Sequence, residues 1–376
     1  MKRCLLHIII LISAASLPYI RCAAAQENNL ITSVKNILDK LNEVDTSYVA
    51  PRKFAWTTKA LGTSALEIFD IKTDNDFSIK FKSHPTVSVG PSVGYQFISG
   101  AYTYDFNVYK NGTGKKELEA HMFMPMFSAD VFFRQTGGDY IIKSIGLPGE
   151  ETTKLDFNTD GVFMSVDRIG ANLFYTFNHH RYSSSAAFNS DATQLRSAGS
   201  FIAGIGYSHA TVKNNLCFLV SVYDWSLKNE VETSFSSSCD IFSKLTYNDF
   251  TLWGGYGYNW VPARHVLLSA VFNVGVGLKH EEGTNSNLRS TFKDYDPEMM
   301  KNFYPYLRVM QTNNPSFSDN AFGINMLGRL SAQYNNQRFF AGAMLNVNNY
   351  YNNRQNSSIS TNNTFGTLSL FVGVHF

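Results

Sequence analysis

Between His265 and Lys279 the chain reads HVLLSAVFNVGVGLK. Val266, Leu268, Ala270, Phe272, Val274, Val276 and Leu278 fall on one side of a period of two, and Ser269, Asn273, Gly275, Gly277 and Lys279 fall on the other. That period sends alternate side chains to opposite faces of an extended strand. The run exceeds the ~5–6 residues usual in globular sheets and matches the ~9–11 tilted residues that cross a bilayer. Its polar side is small and hydrogen-bonding, without the Lys and Glu that keep a water-facing sheet soluble. A lipid-facing outer surface and a polar lumen satisfy both faces.

The same pattern extends in both directions. Phe322, Ile324, Met326, Leu330, Ala332 and Tyr334 oppose Gly323, Asn325, Arg329, Ser331 and Gln333, and Phe339, Ala341, Ala343, Leu345 and Val347 oppose Arg338, Gly342, Asn346 and Asn348. Alternation also marks Ile169 to Phe177, Phe201 to Tyr207 and Phe250 to Trp260. Tyr258, Trp260, Tyr334, Tyr350 and Tyr351 sit at the ends of the apolar faces, where the aromatic girdles of a membrane barrel belong. The predicted fold is all-β: a transmembrane antiparallel up-and-down barrel of about twelve strands, with ten to sixteen plausible, preceded by a short helix. The predicted lumen residues are Asn172, Asn259, Asn273, Asn325, Arg329, Gln333, Arg338 and Asn346.

Counted back from the C-terminus, short turns at Asn335-Asn336, Val261-Pro262-Ala263 and Lys213-Asn214 alternate with long polar stretches near 351–363, 281–320, 228–248 and 178–199. Outer-membrane barrels have tight periplasmic turns and long outer loops, so the long stretches are predicted to be outer loops. A two-residue turn at Asn335-Asn336 would pair Gln333 with Arg338. The chain ends on Phe376, with Val374, Val372 and Leu370 on its face, which looks like the C-terminal signature that recruits the barrel-assembly machinery.

The beginning of the chain carries an export signal. Met1-Lys2-Arg3, an apolar run from Leu5 to Leu17 and Ala23-Ala24-Ala25 before Gln26 give the charged, apolar and small-residue order of a cleaved secretory peptide, with cleavage after Ala25. Arg21 before Cys22 argues against a lipoprotein signal. The expected organisation is a signal peptide over 1–25, a periplasmic segment over 26–50 and a barrel over 51–376. Within the second, Leu30, Val34, Ile37, Leu38 and Leu41 predict an amphipathic helix, read as lying against the first turns or as a cap or plug. Cys217 and Cys239 meet an oxidising compartment, where pairing is permitted but not required.

Composition removes other classes. Charged residues make up 16%, aromatics 14%, and the formal charge is +2, with acids and bases interspersed. No basic stripe offers a nucleic-acid footprint. No run approaches the ~18 apolar residues of a membrane helix. The cysteines have no zinc-ligand spacing, and neither a metal nor a cofactor is expected.

Several stretches resemble an uncharacterised outer-membrane family of Bacteroidota-type bacteria, domain of unknown function 4421. They are Asp45-Thr46-Ser47-Tyr48-Val49, Gly90-Pro91-Ser92-Val93-Gly94-Tyr95, Tyr102-Thr103-Tyr104-Asp105, and Ile169 to Tyr175 running into Phe177-Asn178-His179-His180-Arg181-Tyr182. Ser197 to Phe201, Gly257 to Pro262 and Asn363 to Gly366 complete the likeness. The resemblance implies a barrel in the outer membrane of a Gram-negative bacterium, in contact with its lipid, and implies no activity. The chain departs from the family pattern at Ser184 and Ser185, where a proline follows the aromatic and serine.

Asn178-His179-His180-Arg181-Tyr182 is the densest polar cluster and is predicted to be a structured outer loop. A ligand role is the second reading, although adjacent histidines on a strand would face opposite ways and chelate poorly. An outer-membrane acyl hydrolase would need a serine and a histidine on neighbouring outward strands, and no G-x-S-x-G elbow is present. Catalysis is therefore not expected. The leading expectation is passive transport, or solute or lipid binding, through a narrow polar lumen; a structural or surface-interaction barrel stands beside it.

Overall fold

The computed structural model describes residues 42–50, 53–73, 78–105, 116–136, 140–146, 152–158, 164–215, 242–285, 316–352 and 359–376. The signal and its cleavage site, the helix expected over 30–41, and both Cys217 and Cys239 lie outside these residues.

The elements in chain order are β1 (Val49–Ala50), β2 (Trp56–Thr73), β3 (Ser78–Ser83), β4 (Thr86–Tyr95), β5 (Ile98–Asp105), β6 (Lys116–Phe123), β7 (Phe127–Thr136), β8 (Tyr140–Gly146), β9 (Thr153–Asn158) and β10 (Met164–Thr176). After them come α1 (Ser184–Phe188), β11 (Thr193–Gln194), β12 (Ala198–Asn215), β13 (Phe242–Ala263), β14 (Val266–Asn285), β15 (Ser316–Asn335), β16 (Phe339–Asn352) and β17 (Ile359–His375). Among the described residues twelve strands close into one antiparallel wall, in the order β2, β4, β5, β6, β7, β10 and β12 to β17. The seam joins β17 to β2 from His375↔Thr57 to Ile359↔Thr73, so the wall has no free edge. Beyond Ala65, β2 leaves β4 and pairs with β3, which carries β8 and β9 as a side sheet.

The period of two sorts the wall. Phe272 is 56% exposed and Asn273 only 2%, and the same contrast runs along β12 to β15. Exposed aromatics ring both rims, with Trp56, Tyr95, Trp260, Tyr334 and Phe376 at one and Tyr104, Tyr207, Phe322 and Tyr351 at the other. A closed wall that turns apolar side chains outward and polar ones inward has bilayer as its outer solvent, which makes this a transmembrane barrel.

The two ends differ. At one, short turns join β4 to β5, β13 to β14 and β15 to β16, helped by positive φ at Gln96, His265 and Gln337. The seam also finishes there, where Trp56 and Phe376 exchange backbone hydrogen bonds of 2.9 and 3.0 Å. The side sheet of β3, β8 and β9 lies at the other end.

Four expectations need correction. Lys213-Asn214 is not a turn: β12 continues through it, with Lys213↔Lys244 and Asn214↔Ser243. The alternation of loops therefore shifts, and the stretch 178–199 belongs to the short-turn end rather than to the outer loops. Gln333 pairs with Gly342 instead of Arg338, and the last register pair is Asn335↔Phe340. Arg338 lies exposed in the turn, with its guanidinium 6.0 Å from the Phe339 ring, and does not face the lumen. The strand stops early because Asn336 accepts the backbone N–H groups of Arg338 and Phe339, at 3.1 and 2.7 Å.

Candidate functional site

The connection between β10 and β12 turns into the barrel. Its first residues, Asn178 to Tyr182, form a turn in which Tyr182 N donates to Asn178 O at 2.9 Å and the Asn178 carboxamide donates to Gly199 O at 2.8 Å. His179 and His180 are thus not strand neighbours facing apart, because their rings lie 4.1 Å apart in the same turn. Ser183 then caps α1, its hydroxyl accepting from Ala186 N at 3.0 Å. Ser184 is the first helical residue, a position that also suits proline.

From Tyr182 to Asp191 almost every side chain is buried inside the wall. The inner faces of the strands hold this plug through its backbone and its side chains alike. Asn259 on β13 donates to Ser183 O at 3.0 Å and to Gln194 Oε1 at 2.9 Å. From β15, Ser331 donates to Ala187 O at 2.6 Å, Gln333 donates to Ala186 O, and Asn335 donates to Ser190 O at 2.7 Å. From β2, Thr57 donates to Asp191 Oδ1 and Lys59 to Asn189 Oδ1, both at 2.8 Å, while Ser99 on β5 reaches the same Asn189 oxygen at 3.0 Å. Beneath the polar bonds, Tyr182 packs in a buried cluster with Phe174, Ile202, Trp253, Val271 and Leu327. Gly257 makes room for it: a Cβ there would lie 2.5 Å from the Tyr182 hydroxyl. Burial pushes the Tyr182 phenol above its usual range.

The segment before the barrel docks on this plug. β1 pairs with β11, Asp45 N donates to His180 O at 2.8 Å, and Tyr48 lies against the guanidinium groups of Arg181 and Arg196, at 5.1 and 5.7 Å. Hydrogen bonds from Ser47 hold the Asp45 carboxyl below its usual range, with Arg181 and Arg196 adding to the effect.

Toward the other end the lumen carries a chain of charges. Arg134 on β7 bonds Glu117 at 2.6 Å and Glu119 at 2.8 Å, both on β6. His121 lies 3.4 Å from Glu119 and 2.8 Å from Asp130. Asp130 finally receives Arg329 of β15, which comes from across the lumen. The Arg134 guanidinium also lies 4.1 Å from the Phe365 ring of β17. A cavity of about 100 Å³ remains among these groups, bounded on the plug side by Phe188 and Asn189.

A second polar knot joins Lys279, Asp249, Thr251 and Asn325, in which Asn325 donates to Asp249 at 2.9 Å and to Thr251 at 2.7 Å. A third, beside the side sheet, has Tyr140 and Asn363 donating to the buried Glu67, at 2.8 and 2.6 Å.

The lumen residues expected from sequence fall in different parts of this interior. Asn259 and Gln333 grip the plug, Asn325 sits in the second knot, and Asn172 accepts from Trp253 Nε1 at 3.2 Å and lines the cavity. Arg329 and Asn346 also line the cavity, while Asn273 is enclosed against the wall. Val372, Leu370 and Phe376 are exposed on the outer face, with Val374 half-buried. Sequence reasoning missed Lys59, Glu117, Glu119, His121, Asp130 and Arg134. The signal was in KELEAHMF over 116–123, whose period of two puts charge on the inner side. Among the described residues no cluster of His, Cys, Asp or Glu could hold a metal ion.

Residues 43–376 match the family described as Domain of unknown function (DUF4421). No curated protein matches the chain at a significant level. Among solved structures it is similar to the outer membrane protease OmpT of Escherichia coli, at 8% identity and a TM-score of 0.38, over 87% of this chain and 98% of that one. It is also similar to Ail of Yersinia pestis (9%, TM-score 0.21, 85% and 99%) and to OprG of Pseudomonas aeruginosa (10%, TM-score 0.24, 87% and 98%). At these scores the likenesses carry no argument about activity.

Proposed function

Because the chain belongs to the DUF4421 family, a domain of unknown function, its role has to be read from its interior, and we propose an outer-membrane barrel that holds small polar solutes in a lumen its own plug closes at one end. One observation carries this reading. The segment from Tyr182 to Asp191 is bonded to β2, β5, β13 and β15, so it spans the lumen rather than hanging from one strand. Passive diffusion of solutes would require those bonds to break together. The reading includes export by the signal peptide, insertion by the barrel-assembly machinery, and a short-turn end that faces the periplasm, the arrangement usual for such barrels. It assigns no catalytic residue. A purely structural barrel is the second reading, favoured by the mutual pairing of the lumen charges.

Planar-bilayer recording of the refolded protein tests the plug. The intact barrel is expected to be silent, while a variant with residues 183–192 replaced by a Gly-Ser linker gives reproducible conductance steps. A heat-dependent shift in detergent gels verifies that both are folded. Equal steps from the intact barrel and the variant would refute the closed lumen.

A further inference from the structure

Three inward side chains form one cross-strand row beside the cavity. Arg329 on β15 pairs with Asn346 on β16, and Asn346 pairs with Thr367 on β17. All three line the cavity. The Asn346 carboxamide oxygen and the Thr367 hydroxyl are both buried, and neither has a hydrogen-bond partner among the described residues. Thr367 is only 6% exposed, so bulk water does not compensate it. Two neighbouring buried polar groups without partners are costly unless something in the cavity completes them.

The surrounding charges restrict what that something is. Glu117, Glu119 and Asp130 are already bonded to Arg134, His121 and Arg329. Lys59, at the plug side, donates to Asn189 and lies 5.7 Å from the Phe340 ring and 5.9 Å from the Phe371 ring. A charged ligand would have to displace a member of this set. A neutral one would not. Hydroxyl groups suit the row, since a carboxamide and a hydroxyl both donate and accept, as does each hydroxyl of a polyol. Directly opposed residues have Cβ atoms ~4.5–5.5 Å apart, a separation that two neighbouring ligand hydroxyls can bridge. Arg329 uses one nitrogen on Asp130, and the rest of its guanidinium offers donors to a further ligand oxygen. Phe123, Phe132 and Phe188 supply apolar surface for the carbon skeleton. The volume of about 100 Å³ is below the ~300–1,000 Å³ of drug-sized sites, which limits the ligand to a small molecule.

We propose that the cavity beside the Arg329–Asn346–Thr367 row is a binding site for a small neutral polyol, of glycerol to pentose size. The assignment rests on the solute-holding reading of the plugged lumen and names the class of solute. Saturation-transfer NMR on the full refolded protein in detergent, with glycerol and D-ribose as probes and acetate and methylammonium as charged controls, tests it. Saturable transfer to glycerol or ribose is expected, together with at least a tenfold loss of affinity in Thr367→Val and Asn346→Leu. Thr367→Ser, which keeps the hydroxyl, should retain binding. A heat-dependent gel shift shows that each variant has folded. No polyol signal on the intact protein, undiminished binding by folded Thr367→Val, or stronger binding of either charged control would overturn the assignment. A barrel that is silent in bilayers but binds no polyol loses this site while keeping its plug, so the two readings fail separately.

Discussion

The inner wall has two arcs of different character. Where β13, β14 and β15 face the plug it consists mostly of small residues and amides, including Gly255, Gly257, Asn259, Ser269, Asn273, Ser331 and Gln333, with the Lys279–Asp249 pair farther along the same strands. Along β6 and β7 it carries Glu117, Glu119, His121, Asp130 and Arg134. The neutral arc meets a peptide, and the charged arc meets open space. Plug backbone exposes neutral carbonyls, which Asn259, Ser331 and Gln333 satisfy without unbalanced charge. Charges buried against a peptide would lack counterions, so they collect where the plug leaves room and pair with one another. Arg329 is where the arcs touch, a cation from the neutral side completing the charged one.

The largest effect is expected on the charged side. Asp130→Ala leaves both His121 and Arg329 without their shared carboxylate, and removing one partner of a buried ion pair costs about 3–5 kcal/mol. Refolding titrations in urea should find a loss in or just below that range, since the adjoining cavity moderates the burial. A loss under about 1 kcal/mol, the value of an exposed pair, would mean that the charged arc is as wet as bulk solvent. The outer face should ignore the distinction between arcs. Phe133→Arg on β7 and Phe272→Arg on β14 both place a cation toward lipid, where the cost is about 2–4 kcal/mol near the midplane. A large penalty for one and none for the other would show that part of the wall does not meet bilayer.

A smaller loss is expected from the plug. Asn259→Leu removes the donor to Ser183 O and Gln194 Oε1, which keep only their bonds from Ala187 N at 3.2 Å and Ser183 N at 3.1 Å, at a cost of about 0.5–1.5 kcal/mol for each bond lost. Its diagnostic effect is intermittent conductance from a folded barrel. Complete silence together with unchanged stability would mean that Asn259 does not hold the plug.

How much of this was readable depends on which face carries the pattern. The strands β13 to β16 were legible because an apolar outer side against a small polar inner side has one explanation at that length. In β6 and β7 the inner side is charged, and a charged face alternating with Leu118, Ala120 and Met122 resembles a water-facing strand until the wall closes around it. Lys213-Asn214 reads as a turn because β12 runs beyond its apolar belt, where the bilayer no longer selects hydrophobic side chains. Extending the period of two through the turn puts Arg338 in the lumen. Gln337 has φ of 76°, which ends the strand and the period together. The plug has no period at all. Its partners Asn259, Gln333 and Asn335 come from strands distant in sequence, so its inward course is a tertiary fact.

The smallest expected effect tests the neutral arc at a single position. Asn273 is 2% exposed, and its carboxamide oxygen has no partner among the described residues. It lies over Gly255, where a Cβ would come within 2.2 Å of that oxygen, so the amide already fills the space the glycine leaves. Asn273→Ala loses some packing but also removes a buried group with an unmet hydrogen bond, and these contributions oppose each other. The net change in refolding stability should stay within about 1 kcal/mol. Asn273→Arg has no such compensation, because a longer side chain must displace Gly255 or its neighbours, and overpacking costs about 1–3 kcal/mol. A lumen that was open at this level would accept arginine as readily as alanine. Equal tolerance of the two would therefore remove the contrast between a filled neutral arc and a charged arc bordering open space, whereas an arginine penalty beside a near-neutral alanine would fix the open volume to the charged side.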